Sequence, residues 1–181
     1  MNKSLIVLVL GLLIVLFQNC GAPQGTETGN PSVKLDFSSY TLAANQTLRA
    51  DLCVFQVRLK KVGSAENEGN LVSFPKGHVR LDPQGTDLGR LALPSGTYER
   101  IDMLLKSDCS TTSSIEIENN QGLFRSSQPL TLRFLGTIEI PSQGGTLTLQ
   151  IQPFIQHLQS VTSDLELRSG LETVTGTYMN P

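Results

Sequence analysis

Three cysteines, two histidines, 14 basic and 16 acidic side chains are the groups of this 181-residue chain that could do chemistry. His78 and His157 stand in opposite halves of the chain, each without a second histidine at ligand spacing. A histidine-based metal site would have to recruit scattered carboxylates, so no metal or cofactor is expected. Asp82 and Asp87 share the loop Asp82-Pro83-Gln84-Gly85-Thr86-Asp87. The alternating acidic pattern of a calcium loop is missing there, which leaves a solvated turn. A serine hydrolase needs its serine on a sharp strand-to-helix turn, and the nearest pattern, Gly25-Thr26-Glu27-Thr28-Gly29, has none. Nor is there a glycine-rich phosphate loop with its lysine. Arg58, Lys60 and Lys61 read as the solvated polar face of one strand, where lysine also discourages edge pairing.

The composition bounds the rest. Charged residues are 17% and hydrophobic residues 39%, so a globular body of one domain fits better than a disordered chain. The net charge of −2 leaves no cationic surplus for a phosphate backbone, and nucleic acid is not an expected partner. Residues 1–19 look like a leader: Lys3 supplies one positive charge, and Leu5 to Phe17 is an uncharged run of thirteen residues. As a helix rising ~1.5 Å per residue that run covers roughly 20 Å, short of the ~30 Å hydrocarbon core. Export is therefore a better reading than a permanent span. Phe17-Gln18-Asn19-Cys20-Gly21 follows at the place for cleavage and resembles the lipobox of bacterial lipoproteins. Small residues usually precede the lipobox cysteine, and Gln18 and Asn19 depart from that pattern. The resemblance implies cleavage before Cys20, a diacylglycerol on its sulfur, and a membrane as partner through that lipid. Gly21, in place of an aspartate of the inner-membrane retention type, implies the outer membrane. Residues 20–32 then form the lipidated cysteine and a Gly- and Pro-rich tether, with a reach of about 20 Å as a loose coil.

From residue 33 to 181 the chain reads as one domain of strands. Val33, Leu35 and Phe37 share one face. Cys53, Phe55, Val57 and Leu59 share another, opposite Gln56, Arg58 and Lys60, over a strand from Leu52 to Val62. Ile101, Met103 and Leu105 alternate with Arg100, Asp102 and Lys106 behind the turn Pro94-Ser95-Gly96. Turn residues recur about every ten positions, as in an all-β fold built as a single antiparallel sandwich. Phe154, Ile155, Leu158 and Val161 are the exception and predict a short helix over 154–161, with His157 on its exposed side. Tyr98, just past the Pro94 and Gly96 turn, fits a buried ring whose hydroxyl bonds nearby backbone.

This order of strands, and the segment Leu93-Pro94-Ser95-Gly96-Thr97-Tyr98 above all, resembles a bacterial lipoprotein domain of unassigned function. The same turn occurs in transthyretin-like and carboxypeptidase-regulatory-like sandwiches. The resemblance implies an exported immunoglobulin- or transthyretin-like sandwich and carries over no catalytic residue. With Cys20 set aside for lipid, Cys53 and Cys109 remain as a pair, both at core-facing parity, and a structural disulfide between them is expected. No cysteine is then left as a nucleophile, and the chain is not expected to be an enzyme. The function expected is a lipid-anchored envelope module, structural or protein-binding, with an unknown envelope protein or glycan as partner. The alternative is a sandwich that binds a small ligand or carbohydrate. It is weakened by the lack of tryptophan and by Tyr40 and Tyr178 being the only rings expected to be free.

Overall fold

Alternating apolar residues build nearly every element of the computed structural model, which describes residues 29–65, 68–75, 77–109 and 112–179. The leader, Cys20 and most of the tether lie outside the described residues. The strands are β1 (Ser32–Phe37), β2 (Leu48–Lys61), β3 (Asn70–Ser73), β4 (His78–Arg80), β5 (Thr86–Ala92), β6 (Gly96–Leu105), β7 (Ile115–Asn119), β8 (Gly122–Ser126), β9 (Leu130–Ile140) and β10 (Gly145–Gln150). Helices α1 (Gln152–Ser160) and α2 (Asp164–Thr173) follow, and β11 (Thr175–Met179) returns the chain to the sheet. The fold is mostly β, as the alternation predicts.

The strands lie in the order β5-β1-β10-β11-β9-β6-β2-β7-β8, with β3 and β4 pairing β2 off this path. The expectation of a purely antiparallel arrangement needs correcting, because β1 pairs β10 in parallel and β11 pairs β9 in parallel. The cause is β11. It leaves the helices and wedges between β9 and β10, two strands that a four-residue loop would otherwise join as a hairpin. Gly176 makes the wedge possible: a Cβ there would stand 2.6 Å from the Phe134 ring and 2.7 Å from the Gln150 carbonyl oxygen.

The core is continuous under the sheet. Leu35, Leu59, Leu88, Ile101 and Met103 are fully buried, and the rings of Phe37, Phe134 and Phe154 stack in a chain with centroids 5.9 and 5.3 Å apart. Helix α1 carries Pro153 in its first turn and buries Phe154, Ile155 and Leu158 against this cluster. Buried Asn119 donates from Nδ2 to the Leu158 and Val161 carbonyls at 2.9 and 3.0 Å, satisfying orphan acceptors at the helix end. Helix α2, which the periodicity did not reveal, starts at Ser163. The Ser163 hydroxyl accepts from the Glu166 N–H, and the Glu166 carboxylate accepts from the N–H and hydroxyl of Thr162. The signal was the Ser163-Asp164-Leu165-Glu166 capping pattern, with Leu167 and Leu171 one turn apart behind it.

Strand β2 departs most from the simple alternation. Its first half pairs with β4 and β7, and its second half with β3 and β6. The register against β6 slips between Val54 and Gln56, leaving Phe55 as the extra residue of a β-bulge. Before the slip Ala50, Leu52 and Val54 face the core, and after it Val57 and Leu59 do. Phe55, expected inward, is 40% exposed. The converse holds for Tyr40, expected free and found buried, and Tyr178 is half-buried. Of Arg58, Lys60 and Lys61, expected on a solvated face, only Lys61 is exposed; Arg58 is half-buried and Lys60 is buried, as are Arg100 and Asp102, which alternate with the core residues of β6.

Candidate functional site

The bulge at Phe55 and the register of three strands build the most distinctive surface of the molecule. On the side of the sheet away from the core, pairing places Arg58, Asp102 and Arg133 in one row across β2, β6 and β9. Gln56, Leu104 and Thr131 form the row on one side, and Lys60, Arg100 and Leu135 the row on the other. With neighbouring strands about 4.8 Å apart, Arg58 and Arg133 leave the backbone about 10 Å from each other and flank Asp102.

Asp102, on the face of the sheet away from the core, is nevertheless only 2% exposed. Arg100 Nε lies 2.9 Å from Asp102 Oδ1, a contact of opposite charges aligned too poorly to be a hydrogen bond. Burial pushes the Asp102 carboxyl above the ordinary carboxylate range, against the opposing pull of Arg100, Arg133 and Arg58. Arg58 Nε is buried and makes no hydrogen bond. The smaller ion pairs around this row are Lys60 with Glu99 at 3.6 Å, Lys106 with Asp108 at 2.6 Å and Arg168 with Glu172 at 3.3 Å.

A hollow of about 470 Å³ opens beside the row. Phe55, Leu105, Lys106, Pro129, Leu130, Arg133 and Glu172 line it together with the row in which Leu104 lies between Gln56 and Thr131. Lys106 Nζ sits 4.9 Å from the centre of the Phe55 ring, a cation over an aromatic face. The arrangement can hold a ligand by ring contact, polar side chains and guanidinium charge together.

The residues singled out from sequence lie elsewhere. Cys53 and Cys109 are bonded, with Cα atoms 5.6 Å apart, and the Cys109 N–H donates to Cys53 Sγ. The Tyr98 ring is fully buried and its hydroxyl donates to the Pro94 carbonyl at 2.9 Å. Burial raises the Tyr98 phenol pKa, with the Asn70 side chain pulling it the other way. Gly96, at φ +140°, takes the turn through backbone that side chains with a Cβ avoid. Asp82 and Asp87 bend their own loop, each accepting from the backbone N–H two residues on, Gln84 and Gly89.

His78 opens β4 and points Nε2 at Asp51 Oδ1, 3.4 Å away, where Arg80 Nε at 2.8 Å and Arg49 Nε at 3.1 Å also converge on the carboxylate. Burial alone would raise the Asp51 carboxyl, but Arg80, Arg49 and His78 outweigh it and hold it below the ordinary range. His157, expected on the exposed side of its helix, is instead half-buried against Gly170 of α2. Among the described residues no group of three or more His, Cys, Asp or Glu could hold a metal ion, and no helix is long and apolar enough to cross a membrane.

Sequence reasoning missed the hollow because it assumed unbroken alternation through β2. The clue lay in the two apolar sets of that strand, Ala50-Leu52-Val54 and Val57-Leu59, which fall out of phase by one residue. No family model, curated protein or solved structure matches the chain.

Proposed function

We propose that this chain is a lipoprotein of the bacterial cell envelope, anchored through lipid on Cys20, whose folded body is a non-catalytic module for structural packing or for binding another envelope component. The observation that supports this best is the Cys53–Cys109 disulfide. Such bonds form and persist in oxidising compartments, where an exported chain would meet them. The remaining support is the uncharged run Leu5 to Phe17 ahead of Cys20. With two or three acyl chains on that cysteine the anchor would be stable, and the tether would hold the body off the lipid. Gly21 favours the outer membrane.

The sandwich reading of the fold belongs to the same proposal. One helix, α2, touches both β8 and β9, which lie well apart in the strand order. A sheet curled that far can lay its two ends over one core as sandwich layers.

Intact-mass measurement of the protein extracted from membranes tests the anchor. The expected species begins at Cys20 and carries a diacylglyceryl group and an N-acyl chain, and Cys20→Ala loses the lipid mass. A leader still attached, or an unmodified Cys20 thiol in membrane-extracted protein, overturns it.

A further inference from the structure

We propose that the Cys53–Cys109 bond undergoes thiol–disulfide exchange in the folded protein, with Cys109 Sγ as the sulfur attacked and a dithiol as the substrate. This goes beyond the anchoring reading and does not depend on lipid at Cys20.

The two ends of the bond differ in access. A second hollow, of about 400 Å³, lies beside it and is lined by both cysteines together with Phe55, Phe74, Pro75 and His78. That size lies within the ~300–1,000 Å³ of small-ligand sites and admits a thiol-bearing side chain. Cys53 is 2% exposed, whereas Cys109 is half-buried in the loop after β6. Gly77, whose carbonyl accepts from the Val54 N–H at 2.8 Å, stands against Cys109 Sγ with no side chain of its own. A Cβ at that position would lie 3.2 Å from the sulfur, so any other residue there would crowd it.

The two ends also differ as leaving groups. The Cys109 backbone N–H donates to Cys53 Sγ at 2.9 Å. A hydrogen bond to the charged form of a group favours that form, and exchange is faster when the departing sulfur is the better thiolate. Access and leaving-group chemistry therefore select the same direction. In the first step the substrate thiolate attacks Cys109 Sγ. A bond forms between those two sulfurs, the bond to Cys53 breaks, and its electron pair stays on Cys53 Sγ beside the N–H donor. In the second step the other sulfur of the dithiol, as thiolate, attacks its neighbour in the mixed disulfide and expels Cys109 as a thiolate. The two expelled thiolates take up the two protons that the dithiol gave up. The chain ends with two thiols, the substrate ends as a disulfide, and two electrons have passed between them.

The test uses the full-length Cys20→Ala protein in neutral detergent micelles, in which Cys53 and Cys109 are the only cysteines, so its outcome is separate from that of the lipid measurement. Glutathione, with one thiol, stops the reaction at the mixed disulfide. Quenching with excess N-ethylmaleimide in urea and mapping the tryptic peptides then shows which sulfur was attacked. We expect glutathione on Cys109 and maleimide on Cys53, with at least about a tenfold excess over the reverse. Dithiothreitol should reduce the bond completely, at a rate that about 1 M urea, below the unfolding transition, changes by less than twofold; a path through global unfolding would accelerate roughly tenfold or more. Gly77→Asn tolerates the backbone at φ +66° and covers the sulfur, and should slow both reactions about tenfold. Gly77→Ala takes its place if that variant melts early. The proposal is overturned if glutathione is found on Cys53 or equally on both cysteines, if dithiothreitol leaves the folded bond intact, if urea accelerates reduction as global unfolding requires, or if the folded Gly77 variant reacts like the parent.

Discussion

Replacing Cys53 and Cys109 together by alanine cuts the bond that ties the bulged middle of β2 to the loop after β6. The two cysteines are 56 positions apart in sequence. By chain-entropy reasoning, freeing a loop of that length from its cross-link gives the unfolded state about 4 kcal/mol of conformational freedom. For a body of this size each kcal/mol moves the midpoint by roughly 2 to 4 °C, so the double variant should melt roughly 10 °C below the parent under non-reducing conditions. The lost contact from the Cys109 N–H to Cys53 Sγ adds to the effect in the same direction. Circular dichroism melts of parent and variant, each with and without reductant, provide the assay. The parent should fall to the level of the variant when reduced, and the variant should not respond to reductant. A double variant melting within about 2 °C of the oxidised parent would refute the reasoning, because the bond would then constrain nothing that the unfolded chain otherwise explores.

Tyr98→Phe removes one buried hydrogen bond, to the Pro94 carbonyl, and should cost about 1 kcal/mol in a denaturant titration; an unchanged midpoint counts against that bond as a determinant of the turn. The Asp51 carboxyl has its pKa lowered in the folded state, so its contribution is present above the unfolded value of about 3.9 and is lost as pH falls through the folded value. Asp51→Asn should therefore destabilise at pH 7 and converge on the parent in acid, and parallel stability curves from pH 7 to pH 2 would disprove the linkage. Gly170→Ala, which in an open helix interior gains up to ~1 kcal/mol, should here lose stability, because the new methyl meets the His157 ring; a higher melting temperature would show that the ring moves aside freely.

Much of the fold could be read directly from the chain. The face shared by Val33, Leu35 and Phe37 is the buried face of β1, and the parity of Ile101, Met103 and Leu105 is that of β6. The pairing of Cys53 with Cys109 could be read from the cysteine count but not from core parity: Cys53 lies in the middle of β2 on the opposite parity from Ala50, Leu52 and Val54, and Cys109 is half-buried in the loop after β6. What alternation could not carry was the partner of each strand. The parallel pairings of β1 with β10 and β11 with β9 join segments far apart in sequence, and nothing local in Ser32–Phe37 or Thr175–Met179 names a neighbour. Helix α2 escaped for another reason. Its apolar stripe is only Leu167 and Leu171, too thin to outweigh the polar residues around it, and its capping pattern was the stronger signal.

The candidate site was hidden by a single residue. A strand whose side chains alternate can change its core face only by inserting or removing one position, and β2 does so at Phe55. That slip sets three features at once. It turns a large ring outward, and it leaves Cys53 beside the slip, buried and bonded to Cys109. It also brings Arg58 and Lys60 into register with Asp102 and Arg100. Periodicity assigns these charged residues to the solvated face, and they do lie on the face away from the core. Lys60, Arg100 and Asp102 are nevertheless buried and Arg58 is half-buried, in keeping with guanidinium and ammonium stems long enough to lie along the sheet. A charged row that shields its own carboxylate is costly to keep dry, since burial raises Asp102 even with three guanidinium groups around it.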